Sequence, residues 1–154
     1  RQSSSFSAFV SGTASSSKKE ADPPRPGSSE EHSRIVSETL LLLGARRDVR
    51  LFKAIVGTFY SVRWNQNGVV SSAVPQTIGT VGQADLNGIV SIRVGKRRVG
   101  VRLEIEIKSG QASQTDQQKS WQRMVESLGG IYILARSADD AAKQLELKIS
   151  ELAA

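Results

Sequence analysis

Cysteine is absent from this chain, and histidine occurs once, at His32. Disulfides, thiolate zinc sites and cysteine nucleophiles are therefore excluded, and a Ser-His-Asp triad or a multi-histidine metal centre lacks its parts. Long hydrophobic runs are missing too. The longest purely aliphatic stretch is Leu40 to Leu43, against the ~20 residues that a membrane-spanning helix needs. These absences predict a soluble protein of a reducing, intracellular compartment, cytoplasmic or nucleoid-associated, with no membrane partner. Its chemistry has to come from carboxylates, lysine and bound metal. At 154 residues the chain has room for one ordinary domain.

Proline is scarce except near the start, where three of the four fall at Pro23, Pro24 and Pro26. Residues 1–32 also hold ten serines and few aliphatic side chains, a composition that predicts a disordered tail or linker. The first nineteen residues carry no acid before Glu20 and share the basic, serine-rich bias of an organelle transit peptide. Against that reading, Phe6, Phe9 and Val10 do not repeat at helical spacing. Four basic and four acidic residues balance in this segment, so the whole net charge of +6 belongs to residues 33–154. Five basic residues, Arg93, Lys96, Arg97, Arg98 and Arg102, fall within ten positions, and Arg46, Arg47, Arg50 and Lys53 form a second group. Such clusters suit a polyanion, which gains from positive potential and releases counterions, or a plain solvated surface.

From Ser33 onward the pattern becomes that of a domain. Ser33 is placed to cap a helix with Ile35, Val36, Leu40, Leu42 and Leu43 on its apolar face, and Gly44 to stop it. Val49–Val56 and Thr58–Trp64 read as strands, with Asn65–Gly68 a turn. Gly79 and Gly82 lead into Asp85–Val94, which pairs with Val99–Lys108 as a hairpin across Gly95-Lys96. Residues 114–127 predict a helix with Trp121, Met124, Val125 and Leu128 on one side. Ile131–Ala135 is a short buried strand, and Ser137 caps a last helix carrying Ala142, Leu145, Leu147 and Ile149. That order predicts an α+β fold with a mixed sheet covered by helices.

Along Val99–Lys108 strict alternation sets Val99, Val101, Leu103, Ile105 and Ile107 on one face and Arg102, Glu104, Glu106 and Lys108 on the other. The charged face either lines a cleft or is a solvated edge with cross-strand ion pairs. If the hairpin pairs as expected, Asp85 comes beside Glu106 and Lys108. Two carboxylates offer hard oxygen donors suited to magnesium or manganese. Such an ion polarises a phosphodiester and acidifies a water, while Lys108 can orient the nucleophile or offset charge on the phosphorane.

Four blocks, Gly82-Gln83-Ala84-Asp85-Leu86, Glu104-Ile105-Glu106-Ile107-Lys108, Gln118-Lys119-Ser120-Trp121 and Gly129-Gly130-Ile131-Tyr132, resemble the VRR-NUC branch of the PD-(D/E)XK nucleases in order and spacing. The likeness covers roughly residues 31–148. It implies a restriction-endonuclease-like fold, a Mg2+ or Mn2+ cofactor, and endonucleolytic hydrolysis of DNA, often at Holliday junctions or flaps, in repair or phage DNA processing. Small members resemble homodimers. On this likeness Asp85 and Glu106 are metal ligands, Lys108 is the motif lysine, and Gln118 is the active-site glutamine of the following helix. A helix-1 carboxylate completes the metal shell. Glu31 is the best positional match, with Glu30 beside it and Glu38 two turns on, on the same face. His32 reads as a surface residue at the helix start, and Trp121 as core packing.

Three positions depart from the family pattern: Ala84 stands for the motif proline, Lys53-Ala54-Ile55 for a polar Arg-Asn-Asn stretch, and Glu104 is an extra acid on the active face. Glu104 can be an outer support, a metal ligand or the partner of Arg102. Lys53, Lys96, Arg97 and Arg98 are the candidate DNA contacts. The alternatives to a nuclease are a catalytically idle DNA-binding or protein-interaction module of the same fold, and an accessory protein whose charged strand is a solvated edge.

Overall fold

The computed structural model describes residues 29–153. The serine- and proline-rich composition and the transit-peptide bias concern residues 1–28, which lie outside the described residues. Helix α1 (Ser29–Gly44) leads to β1 (Val49–Lys53), β2 (Gly57–Trp64), β3 (Val70–Ile78), β4 (Leu86–Val94) and β5 (Arg97–Ile107). Then follow α2 (Asp116–Ser127), β6 (Ile131–Ala135) and α3 (Ala138–Ala153). The expected helix cap at Ser33 is corrected here: α1 begins four residues earlier, at Ser29, with Glu30 and Glu31 in its first turn, where acids favour the helix dipole.

The main sheet has the order β1-β4-β5-β6, antiparallel except for the β5-β6 pair. Its register sets Leu86 against Ile105 and Leu103 against Ile131, so the aliphatic stripe of β5 continues across neighbouring strands. Leu86, Val90, Leu103, Ile105, Ile107 and Ile133 are fully buried on this face under Ile35, Val36 and Leu43 of α1 and Leu145 of α3. Each such side chain stabilises the fold by roughly 1.5–3 kcal/mol. The helical faces are narrower than periodicity implies: Leu42, Leu147, Met124 and Leu128 are exposed. On the opposite sheet face, Val125 and Trp121 of α2 pack with Ala84 and Tyr132.

A separate two-stranded ribbon pairs β2 with β3. No strand is expected from the sequence over residues 70–78. Val70–Ile78 contains Pro75 and polar residues and is exposed throughout, so no buried alternation marks it. No helix among the described residues is long and apolar enough to cross a membrane. The mixed sheet flanked by helices is as expected.

Candidate active site

At one end of the main sheet, the start of β4 meets the end of β5. Because Leu86 pairs with Ile105, Asp85 stands opposite Glu106, and Asp85 Oδ2 accepts the Ile107 backbone N–H at 2.9 Å. The Asp85 carbonyl accepts the Ala54 N–H at 2.8 Å, which fixes β1 alongside. The aspartate is thereby anchored at both backbone and side chain.

Glu106 projects from the face opposite the aliphatic stripe and is 2% exposed. Its Oε1 lies 2.8 Å from the Lys108 ammonium. Gln118 ties the pair to α2: its Oε1 accepts from Lys108 Nζ at 2.9 Å, and its Nε2 donates to Glu106 Oε1. Gln118 is also the N3 residue of a capping box with Thr115, so the first turn of α2 holds this amide in place. Its neighbour Gln117 is exposed. Gly82 makes this approach possible. Its φ of +89° suits glycine, and a Cβ there would lie 2.6 Å from the Gln117 carbonyl oxygen.

Burial pushes the Glu106 carboxyl above its ordinary range, with the nearby Asp85 charge adding to the shift and the Lys108 hydrogen bond opposing it. Its second oxygen, Oε2, is buried and makes no hydrogen bond. A buried carboxylate oxygen without a donor costs free energy unless something else pairs with it. A hard cation is such a partner. Asp85 and Glu106 therefore fit a magnesium- or manganese-type ion by donor chemistry. Among the described residues no group of three or more acidic, histidine or cysteine side chains is already gathered to hold a metal.

His32 corrects an expectation. It is half-buried, and its Nε2 lies 3.2 Å from Asp85 Oδ2, which brings the N-terminal turn of α1 to the site. The sequence signal was its place one residue after Glu31. Glu31 is half-buried in that same turn, while Glu38 is exposed and paired with Arg34 at 2.6 Å. Of the helix-1 carboxylates, Glu30 and Glu31 are in the turn that carries His32.

Glu104 is fully buried, and Arg102 binds its Oε1, with Nε at 2.8 Å, while Oε2 has no hydrogen-bond partner. Of the three roles open to it, the Arg102 pairing is the one seen. Tyr132, to which the sequence alone assigns no role of its own, pairs with Glu104 across β5-β6, and its hydroxyl accepts weakly from Gln114 at 3.4 Å. Burial, reinforced by Glu106, raises its phenol far above the ordinary value. The candidate DNA contacts divide. Lys53 is exposed and pairs with Leu86, beside the site. Lys96, Arg97 and Arg98 sit at the β4-β5 turn, the far end of a nine-residue strand, which is ~30 Å away at the usual strand rise.

No family model matches the chain, and no curated protein matches it.

Proposed function

We propose that the chain is a divalent-metal-dependent DNA endonuclease of the VRR-NUC type with a restriction-endonuclease-like fold, acting on branched structures. The observation that carries this reading is the convergence of Asp85, Glu106 and Lys108 across β4 and β5, with a buried Glu106 oxygen that lacks a partner. Asp85 and Glu106 hold the cation, and Glu31 supplies the helix-1 carboxylate. The cation provides positive charge for the phosphodiester and acidifies water.

The protein's own groups do the rest. Lys108 offers an oriented ammonium, held by Glu106 and Gln118, to offset charge that builds on the phosphate as the bond to water forms. Gln118 fixes that ammonium and carries the position of α2 to the site. His32 holds the Asp85 carboxylate from α1, and Lys53 meets the DNA backbone nearby.

The test is incubation of labelled four-way junction, flap and linear duplex with the protein in magnesium, manganese or EDTA. Metal-dependent cutting, strongest on branched DNA, is expected. Binding without cutting in every metal makes the chain an idle DNA-binding module. Neither binding nor a metal-induced rise in melting temperature leaves the charged strand as an ordinary accessory-protein feature.

A further inference from the structure

On the second face of the main sheet α2 packs over Ala84 and Tyr132, while farther along the strands that face is open. The register fills the open part with arginine. Arg50, Ile89 and Arg102 form one row across β1, β4 and β5, and four residues on along β4 Arg93 stands opposite Arg98. All five side chains are exposed. Strand alternation puts them on the same face as Asp85 and Glu106. At the usual strand rise the two rows lie ~13 Å and ~26 Å from Asp85.

The basic run that is continuous in sequence is therefore divided in space. Arg97 opposes Val94 and lies on the other face, whereas Arg50, remote in sequence, joins Arg93, Arg98 and Arg102. This gathering works against the free fold, because like charges directly opposite on neighbouring strands repel. Among the described residues neither Arg93 nor Arg98 has an acid within ion-pair distance. The acids at the margins are already engaged: Arg46 holds Asp48, which also feels the Arg98 charge, and Arg102 holds Glu104.

We propose that this open face is a track for the phosphate backbone of one duplex arm of the DNA, laid along β4 and β5 from the cleavage site. The inference rests on the nuclease reading for its partner. Guanidinium groups bind phosphate through paired hydrogen bonds, and phosphates relieve the repulsion between Arg93 and Arg98. A second copy of this chain, with net charge +6, would set arginine against arginine on this face. Continuity with Asp85 and Glu106 selects the DNA being cut. At ~3.4 Å per base pair the two rows meet that arm about four and eight pairs from the site.

Fluorescence anisotropy with a labelled duplex of about 20 base pairs, in EDTA and from about 50 to 200 mM salt, tests the track. The variants are Arg93→Gln/Arg98→Gln, Arg50→Gln and the opposite-face control Arg97→Gln. The slope of log affinity against log salt should flatten by ~1.8 in the double variant and by ~0.9 in Arg50→Gln, and stay at the wild-type value in Arg97→Gln. The double variant should melt no lower than the wild type, since a repulsive pair is gone. Should it fail to fold, Arg50→Gln against Arg97→Gln carries the comparison. Unchanged slopes in the face variants overturn the proposal. So does an equal loss in Arg97→Gln, which assigns the contact to the β4-β5 turn as a whole. Cleavage of branched DNA by the same proteins in magnesium separates this inference from the reading beneath it. Cutting by a wild type whose face variants bind unchanged removes the track alone, whereas face-dependent binding without cutting in any metal removes the nuclease alone and leaves the track as a DNA-binding surface.

Discussion

Removing the Lys108 ammonium leaves the Glu106 carboxylate buried with Gln118 as its remaining donor. In the fold Glu106 already binds its proton more tightly than an ordinary glutamate, because burial outweighs Lys108. The native state therefore holds more protons than the unfolded state just above the usual glutamate range, and stability falls as pH rises through that window. Lys108→Met pushes the Glu106 value higher and widens the window. Its cost should be about 3 kcal/mol well above neutral pH, as for a broken buried pair, and smaller in acid, where protonation of Glu106 removes the buried charge. Urea unfolding at the two pH values measures this, and an equal cost at both would count against the buried-pair account. Asp85→Asn keeps an oxygen that can accept the Ile107 N–H but removes the charge. Magnesium at a hundred times its dissociation constant should stabilise the wild type by about 2.7 kcal/mol and leave Asp85→Asn unchanged, as thermal melts can show.

Helix α2 acts on the site through its first turn. Thr115→Ala breaks the capping box and should cost about 1 kcal/mol of stability. Because the same box holds Gln118 against Lys108 and Glu106, cleavage is expected to fall by more than that stability loss explains. Chevron and single-turnover data on one preparation compare the two losses. Gly82→Ala should displace the same turn, since its new methyl would overlap the Gln117 carbonyl. These elements differ in how far the sequence reveals them. The hairpin β4-β5 was legible because apolar and charged residues alternate along β5, although both sets are buried from Leu103 to Ile107. β3 was not, because an exposed ribbon needs no apolar alternation. The start of α1 differs from the expected cap at Ser33 because residues 29–32 continue the helix, which brings His32 against Asp85.

For the whole molecule, Asp85, Glu106 and Lys108 could be placed together from sequence because the hairpin register suffices, whereas Gln118 joined them only through the resemblance to a known family. His32 and the separation of Lys53 from Lys96, Arg97 and Arg98 required the three-dimensional arrangement, since charge clustering along a chain does not say which end of a strand it occupies. Two carboxyls shape the pH response in opposite directions. The Arg46 hydrogen bond holds Asp48 below its ordinary range, so its contribution is full at higher pH and is lost as pH falls through the depressed value. Glu106 contributes the reverse. These two groups should therefore weaken the metal-free fold on both sides, in acid through Asp48 and at higher pH through Glu106, and magnesium should move the optimum upward because it binds ionised Glu106. Melting temperatures from pH 3 to pH 9, in EDTA and in magnesium, check this, and one common optimum would contradict it.

The most direct measurement is single-turnover cleavage of the best-cut DNA by wild type and Lys108→Ala in magnesium, with binding to the same DNA recorded in calcium and folding confirmed by circular dichroism. The account predicts that binding persists in the variant while cleavage falls at least a hundredfold, in line with losing about 2.7 kcal/mol of charge stabilisation. Equal cleavage rates in the two proteins would contradict it and remove Lys108 from the chemistry.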